Sequence, residues 1–409
     1  MTDKAAAPPS AARDRRRGDW LTRARVIGWG RVLLIVEIVA LIVIAAGTYG
    51  AYVHLDEPSS TDFISFFAAG RLADVGTPWL AYDPAAHRAM ERAIFGDPHL
   101  PYAYFFFYPP TYLVVCAALA LIPSYLAAFA LSGIATGALF VAALYRIVRD
   151  RRLVVAFLSF PAALITVGIG QNSLLTAGLI GLGTYLVDRK PVAAGLLWGA
   201  LVYKPHLAVM MPIALLASRN WRAFAAMACS AAAIVAISFL WFGPETWQAF
   251  LVEARSAASS FTTGRVGFAG LVSLFGAARL LGVGPLAADI IQGVAALAAA
   301  AFVALVWARG QSLPVRALAL IAGGLIAPPV ILFYDLLPAA IAAAWIVIDA
   351  RRTGYLPGEK MLLGVIWIVP IVSRGVGIAW NVPLGPLATV ALIGLAWARA
   401  RNEWRGRIA

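Results

Sequence analysis

Long apolar stretches that hardly any charge interrupts constrain this chain more than any other feature. The run over residues 32–53 carries only Glu37, and similar runs recur towards the C-terminus. About 20 apolar residues in a helix span the ~30 Å hydrocarbon core of a bilayer. In that medium the backbone must satisfy its own hydrogen bonds, which leaves helices and closed barrels. A barrel would show alternation in segments of about 10 residues, and these runs are continuous. The chain therefore reads as an all-α, polytopic integral membrane protein. Of its 409 residues 62% are hydrophobic and 13% charged, against about 25% charged in soluble domains. Too few charges remain to coat a water-facing globule, and a cytosolic enzyme is excluded.

Charge then sets the organisation. Residues 1–31 hold eight Lys and Arg against Asp3, Asp14 and Asp19, and residues 399–407 hold four Arg against Glu403, within a net charge of +13. Basic clusters beside membrane spans mark the cytoplasmic side, so the high pI does not point to nucleic acid. The expected layout is a basic, disordered cytoplasmic tail over 1–28, a single transmembrane unit over 29–400 and a second basic tail over 401–409. The first span has no small-residue cleavage site behind it and is expected to stay as an anchor. Residues 54–107 carry Asp56, Glu57, Asp62, Asp74, Asp83, Glu91 and Asp97 against Arg71, Arg88 and Arg92, and read as a periplasmic loop. Within it Phe63, Phe66, Phe67 and Gly70 predict a short amphipathic helix begun by Asp62. Asp83-Pro84 predicts a second helix start, and both helices are expected along the membrane surface.

If every basic connector is cytoplasmic (Arg149-Asp150-Arg151-Arg152, Asp188-Arg189-Lys190, residues 219–222, 309–316 and 349–352), then Gly170-Gln171-Asn172 and residues 243–265, 327–335 and 373–383 fall outside. That parity requires residues 192–217 to enter and return, broken at Lys204-Pro205-His206, where proline stops a continuous helix. It also requires residues 108–122 to dip in without crossing. Ten to twelve crossings result. Cys116 and Cys229 lie in apolar runs and make neither a disulfide framework nor a metal motif.

Several polar residues interrupt or border these runs. Asp62 is either a helix cap or a general base at the membrane surface, able to take a proton from an attacking hydroxyl. Lys204 at membrane depth costs roughly 2.5–3.5 kcal/mol by insertion scales. It is either snorkelling or a cation for a phosphate oxygen, with His206 two residues on. Gln171 and Asn172 either cap the next helix or hold sugar hydroxyls. Tyr334-Asp335 interrupts another apolar run, where Asp335 either starts the next helix at Leu336 or, with Tyr334, holds sugar hydroxyls. Arg265 and Arg374, both placed outside, are further phosphate candidates. The aromatic run over residues 102–108, which ends in Tyr108, reads as an interfacial belt or the wall of a polyprenyl groove. No glycine-rich phosphate loop, metal-spaced cluster or G-x-S-x-G elbow occurs, so a nucleotide-fuelled enzyme is not called for, while metal dependence stays open because Asp62 and Asp335 could share an ion.

In their order, Asp62 after the first span, Phe107-Tyr108-Pro109-Pro110, Gly170-Gln171-Asn172, Ala194-Gly195 through Lys204-Pro205 and Arg219-Asn220-Trp221-Arg222 resemble glycosyltransferase family 87. The resemblance runs over about residues 30–350. It implies a GT-C-like bundle related to the polyprenol-phosphate-mannose-dependent mannosyltransferases, inverting transfer from a polyprenyl-phosphate-linked sugar, and a lipid or glycan acceptor at the periplasmic face of the inner membrane. It implies Asp62 as base and Lys204 as partner of the leaving phosphate, with no cofactor besides the lipid-linked donor. Mannosyltransferases of the actinobacterial branch have a His-containing motif where this chain reads Ala327-Pro328-Pro329 to Tyr334-Asp335-Leu336. That departure bears on mannose as the donor sugar and on mannolipid as the acceptor, so the resemblance implies a hexosyltransferase with mannose as one candidate sugar. A flippase would call for repeated halves, which are not visible. A non-catalytic partner protein gives no reason for polar residues from five segments to meet at one face.

Overall fold

The structure, a computed structural model, describes residues 20–48, 62–96, 104–264 and 267–408. The described chain is helical, with a lone antiparallel bridge between Leu271 and Leu332. In chain order the helices are α1 (Arg23–Thr48), α2 (Phe63–Asp74), α3 (Pro84–Phe95), α4 (Pro110–Ala120), α5 (Tyr125–Val148), α6 (Arg151–Leu158), α7 (Pro161–Ile169), α8 (Ser173–Leu186) and α9 (Pro191–Gly199). There follow α10 (Pro205–Ala208), α11 (Met210–Ala217), α12 (Trp221–Thr263), α13 (Leu274–Leu280), α14 (Pro285–Ala308), α15 (Leu313–Ile326), α16 (Pro338–Thr353), α17 (Glu359–Trp380) and α18 (Gly385–Ile408).

Among the described residues six helices are long and apolar enough to cross a membrane, or seven if α6 and α7, bent by 61° at Ser159-Phe160, form one span. The remaining apolar helices are shorter. At 1.5 Å per residue the 14 residues of α8 rise about 21 Å and the 11 residues of α4 about 16 Å. By length alone neither α4 nor α8 reaches across the ~30 Å core.

Lys204 sits where the 192–217 run breaks, between a 3-10 turn (Ala200–Tyr203) and α10. The two arms enter and return. Gly195 packs beside Ala223 and Ala226, and Gly199 beside Met227 and Ser230, so α9 and α12 ascend side by side in the same direction. Asn220 Nδ2 donates to the Val187 carbonyl at 3.4 Å, which sets the starts of the two helices level. Parallel neighbours that begin level demand an intervening segment that goes up and comes back. The Gly195/Gly199 pair makes the approach possible: a Cβ on either would lie 2.2 or 2.4 Å from a carbonyl oxygen of α12.

The basic connectors gather at one end of the bundle. Asp150 is paired with Arg23 and with Arg351, and Asp188 with Arg316. Glu403 accepts from the Ser312 backbone and hydroxyl at 2.8 and 2.9 Å. Arg399, buried, donates to Glu359 and Asp349, both at 2.7 Å, and ties α16, α17 and α18 together. The chain then runs from this end to the start of α2, the α7–α8 turn, the Lys204 break, the start of α16 and the end of α17, which lie at the other.

Four expectations differ locally. Helix α2 is buried on nearly every side, not amphipathic at a surface, because Gly70 lets α4 approach its backbone. Residues 244–263 are not an outer loop. They form a second helical limb of α12 after Gly243, whose φ of 77° breaks the helix just before Pro244. The basic stretch over 401–408 continues α18, and α1 already begins at Arg23, because Glu403 and Arg23 find partners on neighbouring elements. Helix α3 starts as expected: Asp83 accepts from the Ala86 N–H at 2.8 Å ahead of Pro84.

Candidate active site

The turn between α7 and α8 organises the site. Gly170 ends α7 with φ 71°, and a Cβ there would stand 2.5 Å from that of Phe63. Only glycine meets both demands. The turn sends the next two side chains in different directions. Gln171 Nε2 donates to Asp62 Oδ2 at 2.7 Å, and Gln171 Oε1 accepts from the Tyr108 hydroxyl at 3.1 Å. Asn172 Oδ1 accepts from Lys204 Nζ at 3.0 Å. Asp62 and Asn172 both stand at N-cap positions, yet neither side chain caps its helix. The capping alternative therefore fails for both residues.

Lys204 is buried and committed. Its ammonium donates to Asp335 Oδ1 at 2.6 Å and lies 5.7 Å from the Tyr108 ring centroid and 5.6 Å from that of Tyr334. Two aromatic faces and two oxygens replace its hydration, which is what a cation in an apolar bundle needs. Asp335 Oδ1 also accepts from Ser173 Oγ at 2.9 Å, and its other oxygen accepts from the Leu332 N–H at 3.4 Å.

The segment presenting Asp335 is irregular because Pro328-Pro329 cannot continue α15. Its freed carbonyls are met from outside. Gln292 Nε2 donates to the carbonyls of Ile326 and Ala327 at 2.8 Å each, the Val272 N–H to Ile331 at 2.9 Å, and Ser273 Oγ to Pro329. A short 3-10 turn (Phe333–Leu336) then delivers Tyr334 and Asp335 inward.

Burial raises the Asp62 carboxyl above its ordinary 3.8, while the Gln171 hydrogen bond and the Arg374 cation act to lower it. Arg374 reaches this region from α17, with its guanidinium 5.7 Å from the Phe333 ring. The structure thus joins Asp62, Tyr108, Gln171, Asn172, Lys204, Tyr334 and Asp335 in one contact network, with Arg374 at its edge. His206 lies at the edge of the network: it is on the first turn of α10, exposed, and within electrostatic reach of Lys204 and Asp335. Arg265 lies outside the described residues.

Sequence reasoning missed Ser173, whose hydroxyl shares Asp335 with Lys204. It also missed the floor under the lysine, where Tyr112 stacks on Tyr203 at 5.1 Å and meets Tyr108 at a tilt with ring centroids 4.8 Å apart, and where the Tyr203 hydroxyl lies 2.7 Å from Thr176 Oγ1. Ser173 and Tyr203 adjoin named motif residues, but a serine or a tyrosine in an apolar run carries no mark of its own. Among the described residues no three His, Cys, Asp or Glu side chains gather as a metal site.

The sequence model of glycosyltransferase family 87 matches residues 106–334, more than half of the chain. The chain belongs to glycosyltransferase family 87. The match includes Tyr108, Gln171, Asn172, Lys204 and Tyr334 and ends one residue before Asp335, a narrower span than the motifs suggested. Asp62 and Arg374 fall beyond it, so their place in this family 87 enzyme rests on geometry. No curated protein and no solved structure matches the chain. Family 87 membership makes it a glycosyltransferase, and its apolar helices make it a multi-pass membrane protein.

Proposed function

We propose that this glycosyltransferase moves a hexose from a polyprenyl-phosphate donor to a hydroxyl of a lipid or glycan, inverting the anomeric centre, at the periplasmic face of the inner membrane. The observation that carries the reading is the pair Gln171-Asn172. Consecutive side chains hold a half-buried carboxylate on one side and a buried ammonium on the other. A displacement at an anomeric carbon needs these two charges: a base for the incoming oxygen and a cation for the departing phosphate.

Asp62 takes the proton of the acceptor hydroxyl as its oxygen bonds to the anomeric carbon. The bond from that carbon to the phosphate oxygen breaks, and the polyprenyl phosphate leaves with one more negative charge. Lys204 receives that charge. Its present partner Asp335 is a carboxylate, so the phosphate exchanges for Asp335 on the ammonium, a contact worth most when the leaving group is fully charged. Arg374 faces the same region and adds a second cation. The Asn172 amide nitrogen is buried beside the Tyr108 and Tyr112 hydroxyls and can donate to a sugar or phosphate oxygen that enters there.

The test is transfer by purified protein in lipid, offered several polyprenyl-phosphate sugars together with a membrane lipid extract, and read by mass. A hexose-sized gain that disappears in Asp62→Asn supports the reading. General-base catalysis contributes roughly 10²–10⁴ in rate, so transfer by that mutant within a few fold of wild type removes Asp62 from the mechanism. A gain only from nucleotide sugars replaces the donor class.

A further inference from the structure

The opposite end of the molecule holds a second polar concavity. Between the start of α1, the α5–α6 connector and the end of α16 lies a cavity of about 570 Å³ lined by Arg23, Arg149, Asp150, Arg151, Arg152 and Arg351. Five guanidinium groups face one carboxylate. That carboxylate is already occupied, being paired with Arg23 and Arg351 and accepting from the Arg152 N–H at 3.0 Å as the cap of α6. Arg149 donates only to neutral oxygen here, the Tyr185 hydroxyl at 3.4 Å.

A preference for basic residues in connectors explains arginines at this end. It does not explain their convergence from three segments onto one hollow. Like charges gathered with a single counter-charge repel, and an anion in the hollow relieves that repulsion. The backbone enforces the gathering: Arg149 adopts φ 51°, a left-handed conformation that costs a non-glycine residue free energy. That turn closes α5, whose Tyr145 carbonyl accepts the Arg149 N–H at 2.9 Å, and starts α6 at once, so Arg149, Arg151 and Arg152 share one short connector.

Guanidinium forks match phosphate oxygens in pairs, and the hollow opens at the ends of spans, where lipid headgroups lie. We propose that it binds the phosphate of an anionic phospholipid headgroup, on the membrane face opposite Asp62. The site is separate from the transfer chemistry and does not depend on the donor proposed above.

The experiment is native mass spectrometry of the full chain with phosphatidylglycerol or phosphatidylcholine of the same acyl length, beside an Arg151→Gln/Arg152→Gln variant. Both side chains are exposed, so the fold is expected to survive, which an unchanged thermal midpoint checks. Arg152→Gln alone serves if the double variant does not fold. Retained phosphatidylglycerol should exceed phosphatidylcholine, and loss of two arginines near an anionic group should weaken it by roughly tenfold or more. Inorganic phosphate at millimolar concentration is the second arm. Displacement of the lipid by it from wild type keeps the phosphate site and assigns it a soluble occupant. Equal retention of the two lipids, or equal retention by wild type and variants, overturns the proposal.

Discussion

Asp62 is a carboxylate held above its ordinary pKa by burial and held down in part by Gln171 and Arg374. A base must be ionised, so transfer should fall tenfold per pH unit below a midpoint that lies above 3.8. Arg374→Gln removes a cation that favours the charged form, so the midpoint should move to higher pH, and loss of the second cation for the leaving phosphate should lower the plateau as well. A pH–rate profile of both proteins checks the direction, and an unmoved midpoint would separate Arg374 from Asp62. The Lys204–Asp335 pair gives a second prediction. Lys204→Met leaves a carboxylate buried alone and should cost about 3–5 kcal/mol, whereas Lys204→Met with Asp335→Leu should recover much of it, as buried pairs replaced by apolar residues do. Unfolding of the single and double variants measures this; both should lack transfer. The sequence made Lys204 and Asp335 visible as charges in apolar runs. It could not pair them, because 131 residues separate the partners. Nor did anything local rank Asp62 above Asp56 or Asp74.

Among the elements, the α7–α8 turn carries the most consequence. Gly170→Ala places a Cβ in a left-handed position and 2.5 Å from that of Phe63. The cost should be about 1–3 kcal/mol, and Gln171 should move with the turn. The expected outcome is a lower thermal midpoint and a drop in turnover larger than the loss of folded protein accounts for. Turnover per folded molecule equal to wild type would detach the turn from the site. Helix starts at Asp83-Pro84 and the break at Lys204-Pro205 were legible because proline and a capping carboxylate act locally. The full burial of α2 and the continuation of α12 beyond Gly243 were not. The first depends on Gly70 meeting the Cys116 carbonyl across the bundle, and the second on a φ that glycine permits but does not dictate.

At the scale of the molecule, ion pairs among connectors collect the basic segments at one end, and the network that joins Asp62 to Lys204 and Asp335 occupies the other. Single cysteines placed at Arg352 and at Trp380, in a chain with Cys116 and Cys229 replaced by alanine, should therefore react with an impermeant thiol reagent from opposite sides of a sealed vesicle. Labelling of both from the same side would break the topology. Arg399→Met, which opens the buried cluster joining α16, α17 and α18, should lower stability by several kcal/mol through two orphaned carboxylates. Thermal unfolding reads that loss.

The sequence by itself determined the class of protein, since apolar runs with so few charges have one stable solution in a bilayer. It also determined which connectors lie together, since charge bias is additive along the chain and needs no contacts. Tertiary structure alone decided the site. Gln171 and Asn172 look like an ordinary cap until the bundle sets Asp62 before one and Lys204 before the other. That choice belongs to the packing of distant helices, because a buried charge is stable only beside partners that the chain brings from elsewhere.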